Sequence, residues 1–262
     1  MTDNEESRYT RGRRALNQLE HDDDRSVLDN VAEFCPDMAR LVVEFGYGDV
    51  FARPGLSAAD RQLVTIAALG ALGNAPSQLR FHVGGALNVG CKPEGIVETF
   101  IHLTVYAGFP AALNAIGIAR DVFAEKGVAV SPSEQRTSPR DRFDVGSVFL
   151  ERVDGHGGTD VVDGLADIAP DLGRFIVEYS FGDVYSRSGL TLREREMVTV
   201  AACSALGTCV PQLGLHMQGF FNVGGTRDEL VELLIQIAVY AGFPASLNAL
   251  SQFRHVVLNI EH

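Results

Sequence analysis

The groups able to move a proton near neutral pH are few, and their spacing is regular. His82 and His216 stand at equivalent places in two similar stretches, Leu79-Arg80-Phe81-His82 and Leu213-Gly214-Leu215-His216. His102 lies further along the first stretch, with Tyr106 four residues beyond it, a separation that puts both on one face of a helix. Imidazole titrates between roughly pH 5 and 8, so two imidazoles and a phenol around one pocket suit general acid–base work. His82 lies about nine residues before the connection near Cys91 and His102 about eleven after it. At a rise of about 1.5 Å per residue, an antiparallel hairpin then brings the two to nearly the same height. The competing readings are a satisfied core histidine at His82 and a surface pair between His102 and Glu98.

Arg53 and Arg187 each follow an aromatic residue, in Phe51-Ala52-Arg53 and Tyr185-Ser186-Arg187. A planar guanidinium there suits a carboxylate anchor, against the alternative of an ordinary surface arginine on a turn. Arg61 and Arg195, early in the following helices, read as structural ion-pair partners. The two stretches differ chemically, because Gln236 stands where His102 would be repeated, Gly214 where Arg80 would be, and Ser188 where Pro54 would be. The first half is therefore the better candidate for a working site, with the second supplying walls. The expected catalytic set is His82, His102, Arg53 and Tyr106; Asn88, Asn114, His216, Arg187 and Tyr240 are expected around the substrate. No metal-ligating set is expected.

These residues sit in a duplicated chain. Val105-Tyr106-Ala107-Gly108-Phe109-Pro110-Ala111-Ala112-Leu113-Asn114-Ala115 recurs as Val239 to Ala249 with one change, Ala112 to Ser246. Pro36 pairs with Pro170, Arg53 with Arg187, His82 with His216 and Asn88 with Asn222 at one constant offset. Such internal repetition is the first feature to settle when reading a chain. Residues 1–128 form one repeat, 129–142 a Ser- and Pro-rich linker, and 143–262 a second, diverged repeat. Within each repeat the apolar period is helical and no stretch alternates with period two, which predicts an all-α fold of two tandem helical repeats. A first helix opens at Pro36 and ends at Gly46 and Gly48. Ser57 with Asp60, Thr191 with Glu194, and Thr226 with Glu229 form capping-box patterns opening later helices. Pro76 starts the helix bearing His82, a helix from about Pro93 to Ala107 bears His102, and Gly108 separates it from the last. The first thirty or so residues of each repeat also read as helical.

An apolar content of 46% is globular, and a net charge of -12 argues against a phosphate-binding surface. The acidic run Glu20-His21-Asp22-Asp23-Asp24 reads as a solvated cap or turn. No secretory leader opens the chain, and its most apolar run, Phe100 to Ala119, is interrupted by His102, Gly108, Pro110 and Asn114, unlike a membrane span. Cys35, Cys91, Cys203 and Cys209 fall at unrelated places in the two repeats, with neither a CxxC pair nor a zinc spacing. The reading is a cytoplasmic protein with reduced thiols and no nucleic-acid or membrane partner.

Taken together, Gly48 to Leu56, Leu63 to Leu69, Leu79 to His82 with Gly85 to Asn88, and His102 to Asn114 resemble the γ-carboxymuconolactone decarboxylase family. The resemblance spans roughly Pro36 to Ala124 and, more loosely, Pro170 to Val257. It implies the all-helical fold shared with the alkylhydroperoxidase AhpD group and a homo-oligomer, with three duplicated chains making a pseudo-hexamer. It implies a cofactor-free reaction on a small unsaturated acid or lactone, with His82 as proton donor, Arg53 orienting an oxygen, and His102 and Tyr106 in support. Decarboxylation, isomerisation and ring-opening all fit that chemistry. The AhpD branch carries a CxxC four and seven residues before a helix histidine; this chain has Gln78 and Ala75, or Gln212 and Cys209, at those places. A thiol peroxidase and a silent helical scaffold are the competing functions.

Overall fold

The computed structural model describes residues 6–20, 28–131, 133–134 and 141–260, with residues 259 and 260 as backbone only. Most of the acidic run after Glu20 and much of the linker lie outside them. Among the described residues every regular element is helical, as the apolar period requires. The first repeat runs α1 (Arg8–Asn17), α2 (Asp29–Phe34), α3 (Pro36–Leu41), a π-helical continuation π1 (Val42–Phe51), α4 (Ala58–Leu72), α5 (Pro76–Asn88), α6 (Pro93–Tyr106) and α7 (Gly108–Glu125). The second runs α8 (Arg142–Asp154), α9 (Thr159–Asp163), α10 (Pro170–Phe175), π2 (Ile176–Tyr185), α11 (Leu192–Leu206), α12 (Val210–Asn222), α13 (Arg227–Tyr240) and α14 (Phe243–Ile260).

Local chemistry explains most boundaries. Ser57 accepts a hydrogen bond from the Asp60 backbone, and Thr191 with Glu194 and Thr226 with Glu229 close full capping boxes. Gly73 and Gly207 end α4 and α11 in the left-handed region, at φ 65° and 68°, where a glycine carries no Cβ penalty. One expectation fails. Gly46 and Gly48 do not end the helix opened at Pro36; the chain continues through both as π1. Gly48 serves a close crossing instead, since a Cβ there would lie 2.4 Å from the Arg8 carbonyl oxygen, and one on Gly12 2.1 Å from that of Val43. Gly182 and Gly146 repeat the crossing against Arg142 and Val177. Arg8 and Arg142 then pair with Asp49 and Asp183 across it.

At the centre α4 and α11 pack against each other. Their contact is built from small residues, Ala67, Ala68, Ala201 and Ala202, all fully buried, which lets two helix backbones approach closely. Around this pair each repeat's helix bridges both: α6 of the first packs on its own α4 and on α11 of the second, and α13 of the second packs on its own α11 and on α4 of the first. One apolar core therefore draws on both repeats, from Ile66 and Phe100 to Val200 and Phe220. Matching apolar side chains stay exposed on each repeat, Leu41, Phe109 and Leu113 on the first and Phe175, Phe243 and Leu247 on the second. Among the described residues no helix is long and apolar enough to cross a membrane.

Candidate active site

The packing of α6 against α11 and of α13 against α4 decides which polar residues meet. Each of α4 and α11 carries an Arg, a Gln or Glu, and a Thr on the face covered by the other repeat's helix. Two composite clusters result, related by the duplication and chemically unlike.

In the first, α11 supplies Arg195, Glu196 and Thr199, α12 supplies His216, and α6 of the other repeat supplies Glu98, His102 and Tyr106. Tyr185 enters from the end of π2. Glu196 Oε2 lies 2.7 Å from His216 Nδ1, and its other oxygen accepts from the Tyr185 hydroxyl at 2.7 Å. The Tyr106 hydroxyl lies 2.8 Å from that of Tyr185 and 3.1 Å from His216 Nε2. Each phenol has one proton to give. With Tyr185 donating to Glu196 and Tyr106 donating to Tyr185, the Tyr106 oxygen is left to accept from His216 Nε2. Turning the Tyr185 hydroxyl to Tyr106 and the Tyr106 hydroxyl to His216 reverses the chain, at the cost of the bond from Tyr185 to Glu196. Burial, then Glu196, keeps both phenols well above the ordinary tyrosine range.

His102 completes this cluster without joining the proton chain. Its Nδ1 faces the Arg195 guanidinium at 3.5 Å, and its Nε2 lies 2.7 Å from Thr199 Oγ1. Guanidinium only donates, and the Thr199 hydroxyl is spent on the Arg195 carbonyl at 3.0 Å, so Nε2 carries the single proton. Burial first, then Arg195 and His216, push its pKa well below the ordinary value. His102 is a neutral ring that sets geometry. Beneath it Glu98, fully buried, bonds Arg195 at 3.0 Å and Arg187 at 2.9 Å.

The second cluster has the same frame. Glu232 of α13 bonds Arg61 at 2.9 Å and Arg53 at 2.7 Å; burial pushes its carboxyl up, but the bonds from Arg53 and Arg61 hold it below the usual range. Gln236 bridges Arg61 and Thr65. Here, however, His82 Nδ1 faces the Gln62 amide oxygen at 3.1 Å, and Tyr240 meets the ring edge-on at 5.1 Å. Phe51 holds the place of Tyr185. With no carboxylate beside it, burial lowers the His82 pKa to about 3, and the ring is neutral at physiological pH.

The expected site residues are thus redistributed. His102 and Tyr106 do share a pocket, but with His216 rather than His82; α6 turns its polar face to α11, so the hairpin argument joined the wrong pair. His102 makes no surface pair with Glu98, being fully buried. Arg53 and Arg187 are both tied to buried glutamates, and Arg61 and Arg195 are the structural pairs expected. Tyr240 lies against His82. Asn88 gives its amide to the Leu19 carbonyl at 2.6 Å and Asn114 sits on the exposed face of α7, so neither reaches the two clusters through these contacts. Missed at the sequence level were Glu196, Tyr185 and Thr199. A position-by-position comparison of the repeats flags two of them, because Gln62 against Glu196, Phe51 against Tyr185 and Gln236 against His102 all place the titratable partner in one cluster.

That cluster also reaches open space. A cavity of about 650 Å³ lies between the repeats, with Tyr185 and Arg187 in its wall beside Asp60, Lys92 and Glu194. The His216 side chain is 13% exposed.

Comparison with known proteins agrees with this architecture. The model of the carboxymuconolactone decarboxylase family matches twice, at residues 36–121 and 170–255. The chain is 37% identical over 128 residues to a 4-carboxymuconolactone decarboxylase of Acinetobacter baylyi, covering 48% of this chain and 94% of that one. It is 33% identical over 75 residues to a nitrosuccinic acid decarboxylase of Metarhizium robertsii, covering 29% and 52%. A solved chain from Burkholderia xenovorans, assigned as a gamma-carboxymuconolactone decarboxylase subunit, superposes with a TM-score of 0.61 over 97% of this chain and 98% of that one, at 21% identity, and so shares the fold. The chain belongs to the carboxymuconolactone decarboxylase family, as a tandem duplication of its helical repeat.

Proposed function

We propose that the protein is a carboxy-lyase-like enzyme that acts by proton transfer on a small unsaturated carboxylic acid or lactone, and that the cluster around Glu196 is its working site. The observation that carries this reading is the Glu196–His216 pair at 2.7 Å, continued through Tyr106 to Tyr185 on the cavity wall. The two decarboxylases among its relatives support the reaction class.

Loss of CO2 from such an acid leaves an electron pair that a conjugated carbonyl can delocalise, and the resulting anion must be reprotonated. Arg187 in the cavity wall supplies positive charge toward the substrate carboxylate. His216, reachable from solvent, takes up a proton and is steadied by Glu196. Its Nε2 proton passes to Tyr106, the Tyr106 proton to Tyr185, and the Tyr185 proton to the substrate carbon. His216 ends neutral, each phenol regains its own proton, and the next uptake resets the chain. The Gln62 cluster has no equivalent, since its histidine has neither a carboxylate nor a second phenol.

The test is CO2 release from a γ-lactone acid by folded variants. His216→Ala and Glu196→Gln should each lower kcat by roughly 10²–10⁴-fold, the usual scale for a positioned acid–base group, while His82→Ala stays within a few-fold of the unsubstituted chain. Turnover that survives His216→Ala but disappears in His82→Ala would move the chemistry to the Gln62 cluster. Turnover untouched by either would end the reading.

A further inference from the structure

The duplication also sets a second, smaller cavity. It has a volume of about 240 Å³ and opens between α1, the end of π1 and the start of α4. Carried along the chain by the constant offset between the repeats, Ala15, Gln18, Phe51, Ala52 and Ala58 of its lining become Phe149, Arg152, Tyr185, Ser186 and Leu192. All five of those line the larger cavity beside the Glu196 cluster. The same place in the fold is therefore hollow in both repeats, and what differs is the chemistry of the side chains around it.

The differences run in one direction. Where the second repeat presents a phenol and a hydroxyl, at Tyr185 and Ser186, the first presents Phe51 and Ala52. Neither can give or take a proton. In their place α1 contributes Arg11 and Arg14, at positions where α8 has Val145 and Val148. Arg11 gives its Nε proton to the Gly48 carbonyl at 2.7 Å and one terminal nitrogen to Asp49 at 3.2 Å. Arg14 gives one terminal nitrogen to Glu6 at 2.6 Å. A guanidinium carries five N–H donors, so both keep donors beyond these contacts. Ala15 and Phe51 are buried and form an apolar floor, while the arginines are the wetter side, Arg14 with its side chain 66% exposed.

We propose that this cavity binds a small monocarboxylic acid without turning it over. The carboxylate takes the spare N–H groups of Arg11 and Arg14, since planar guanidinium groups match the two oxygens of a carboxylate. The hydrocarbon body lies against Phe51 and Ala15, where removing apolar surface from water adds to the binding. At well under half the volume of the larger cavity, the space suits a single ring or a short chain. One chain then holds one cavity that carries an acid to a proton chain and one that carries an acid to none. The contrast rests on the function proposed above, but the binding does not.

The experiment titrates the full chain with benzoate at low ionic strength, where charge pairing is least screened, and follows the backbone amide signals by NMR. The signals of Ala15, Gln18 and Ala52 should shift to saturation with benzoate and stay in place with benzyl alcohol, its uncharged counterpart. Arg14→Gln, at an exposed position, should weaken benzoate about tenfold, the scale of one hydrogen bond to a charged group. Ala58→Leu installs the residue that the second repeat carries at this place, fills the cavity and leaves both arginines, and it should abolish the saturable shift. No saturable shift in the unsubstituted chain, an equal response to benzyl alcohol, or an unchanged affinity in either variant would overturn the proposal. The signals of Tyr185 and Leu192 report the larger cavity separately. Silence there beside a saturable shift at Ala15 would count against the proposed function and leave this site standing.

Discussion

The Glu196 and Gln62 clusters are the same construction in all but a few atoms. Both set a histidine from one helix hairpin against a tyrosine borrowed from the other repeat, and both rest on a buried glutamate clamped by two arginines. They part at three positions: Glu196 for Gln62, Tyr185 for Phe51 and His102 for Gln236. One carboxylate decides the most, because His216 faces the Glu196 carboxylate whereas His82 faces an amide and is held neutral by burial. The frame can therefore be inherited unchanged while the titratable partners differ between the copies. Conservation of the clamp across the duplication says nothing about which site works.

The clamps are the shared part, so breaking them should produce the largest and most nearly equal effects. Glu98→Ala leaves Arg195 fully buried without its anion, and Glu232→Ala does the same to Arg61. Removing one partner of a buried pair costs about 3–5 kcal/mol. The two losses should be close, since Arg61 keeps Gln236 and the Arg53 carbonyl as acceptors and Arg195 keeps His102 Nδ1 and the Arg187 carbonyl. Urea unfolding midpoints would show both losses; a change under about 1 kcal/mol in either would mean that water replaces the missing carboxylate, in the manner of a surface pair.

The threonines above the clamps should separate the clusters by a smaller margin. Thr199→Val leaves the His102 Nε2 proton without an acceptor in a fully buried setting, at a cost of about 1–3 kcal/mol. Thr65→Val removes one of two bonds from the Gln236 amide, which keeps the Arg61 carbonyl at 2.8 Å, so its loss should be the lesser of the two. Equal losses in thermal unfolding would show that the ring of His102 can turn to another partner.

How much of this could be read from the sequence follows the range of the forces involved. Local signals were legible: the prolines at Pro36, Pro76 and Pro93, the capping boxes at Thr191 and Thr226, and the break at Gly108 all act within a few residues. The duplication was legible because it is repetition in the chain itself. The course of π1 through Gly46 and Gly48 was not, because the reason for Gly48 lies in Arg8, across a helix crossing that no local pattern encodes. Nor was the cross-packing of α6 and α13. α6 packs on both its own α4 and the other repeat's α11, and the choice of which one its polar side chains face rests on how Thr199, Arg195 and Glu98 pack together. That choice moved His102 from His82 to His216 and, with it, the candidate site from one repeat to the seam between both.

The smallest effect tests the amide against the carboxylate directly. An unfolded histidine takes up a proton near pH 6.5, but His82 in the folded chain resists until about pH 3. Between those values the unfolded state binds more protons, so stability rises with pH across the window and is lost as pH falls from about 6.5 toward 3. The contribution approaches about 1.4 kcal/mol per pH unit below 6.5. Other carboxylates titrate in the same range, so the informative quantity is the difference between chains. His82→Gln should flatten the acid limb of the urea midpoint between pH 6.5 and 4.5 relative to the unsubstituted chain. Gln62→Glu should flatten it as well, for the opposite reason: a carboxylate beside His82 recreates the Glu196–His216 pairing and lets the folded ring charge near its ordinary pH. The ring proton signal of His82 would then titrate upward of 5 in that variant and show no titration above 4 in the parent. A parent signal moving near pH 6 would mean that Gln62 does not keep this ring neutral, and the chemical distinction between the two clusters would then rest on Tyr185 and His102.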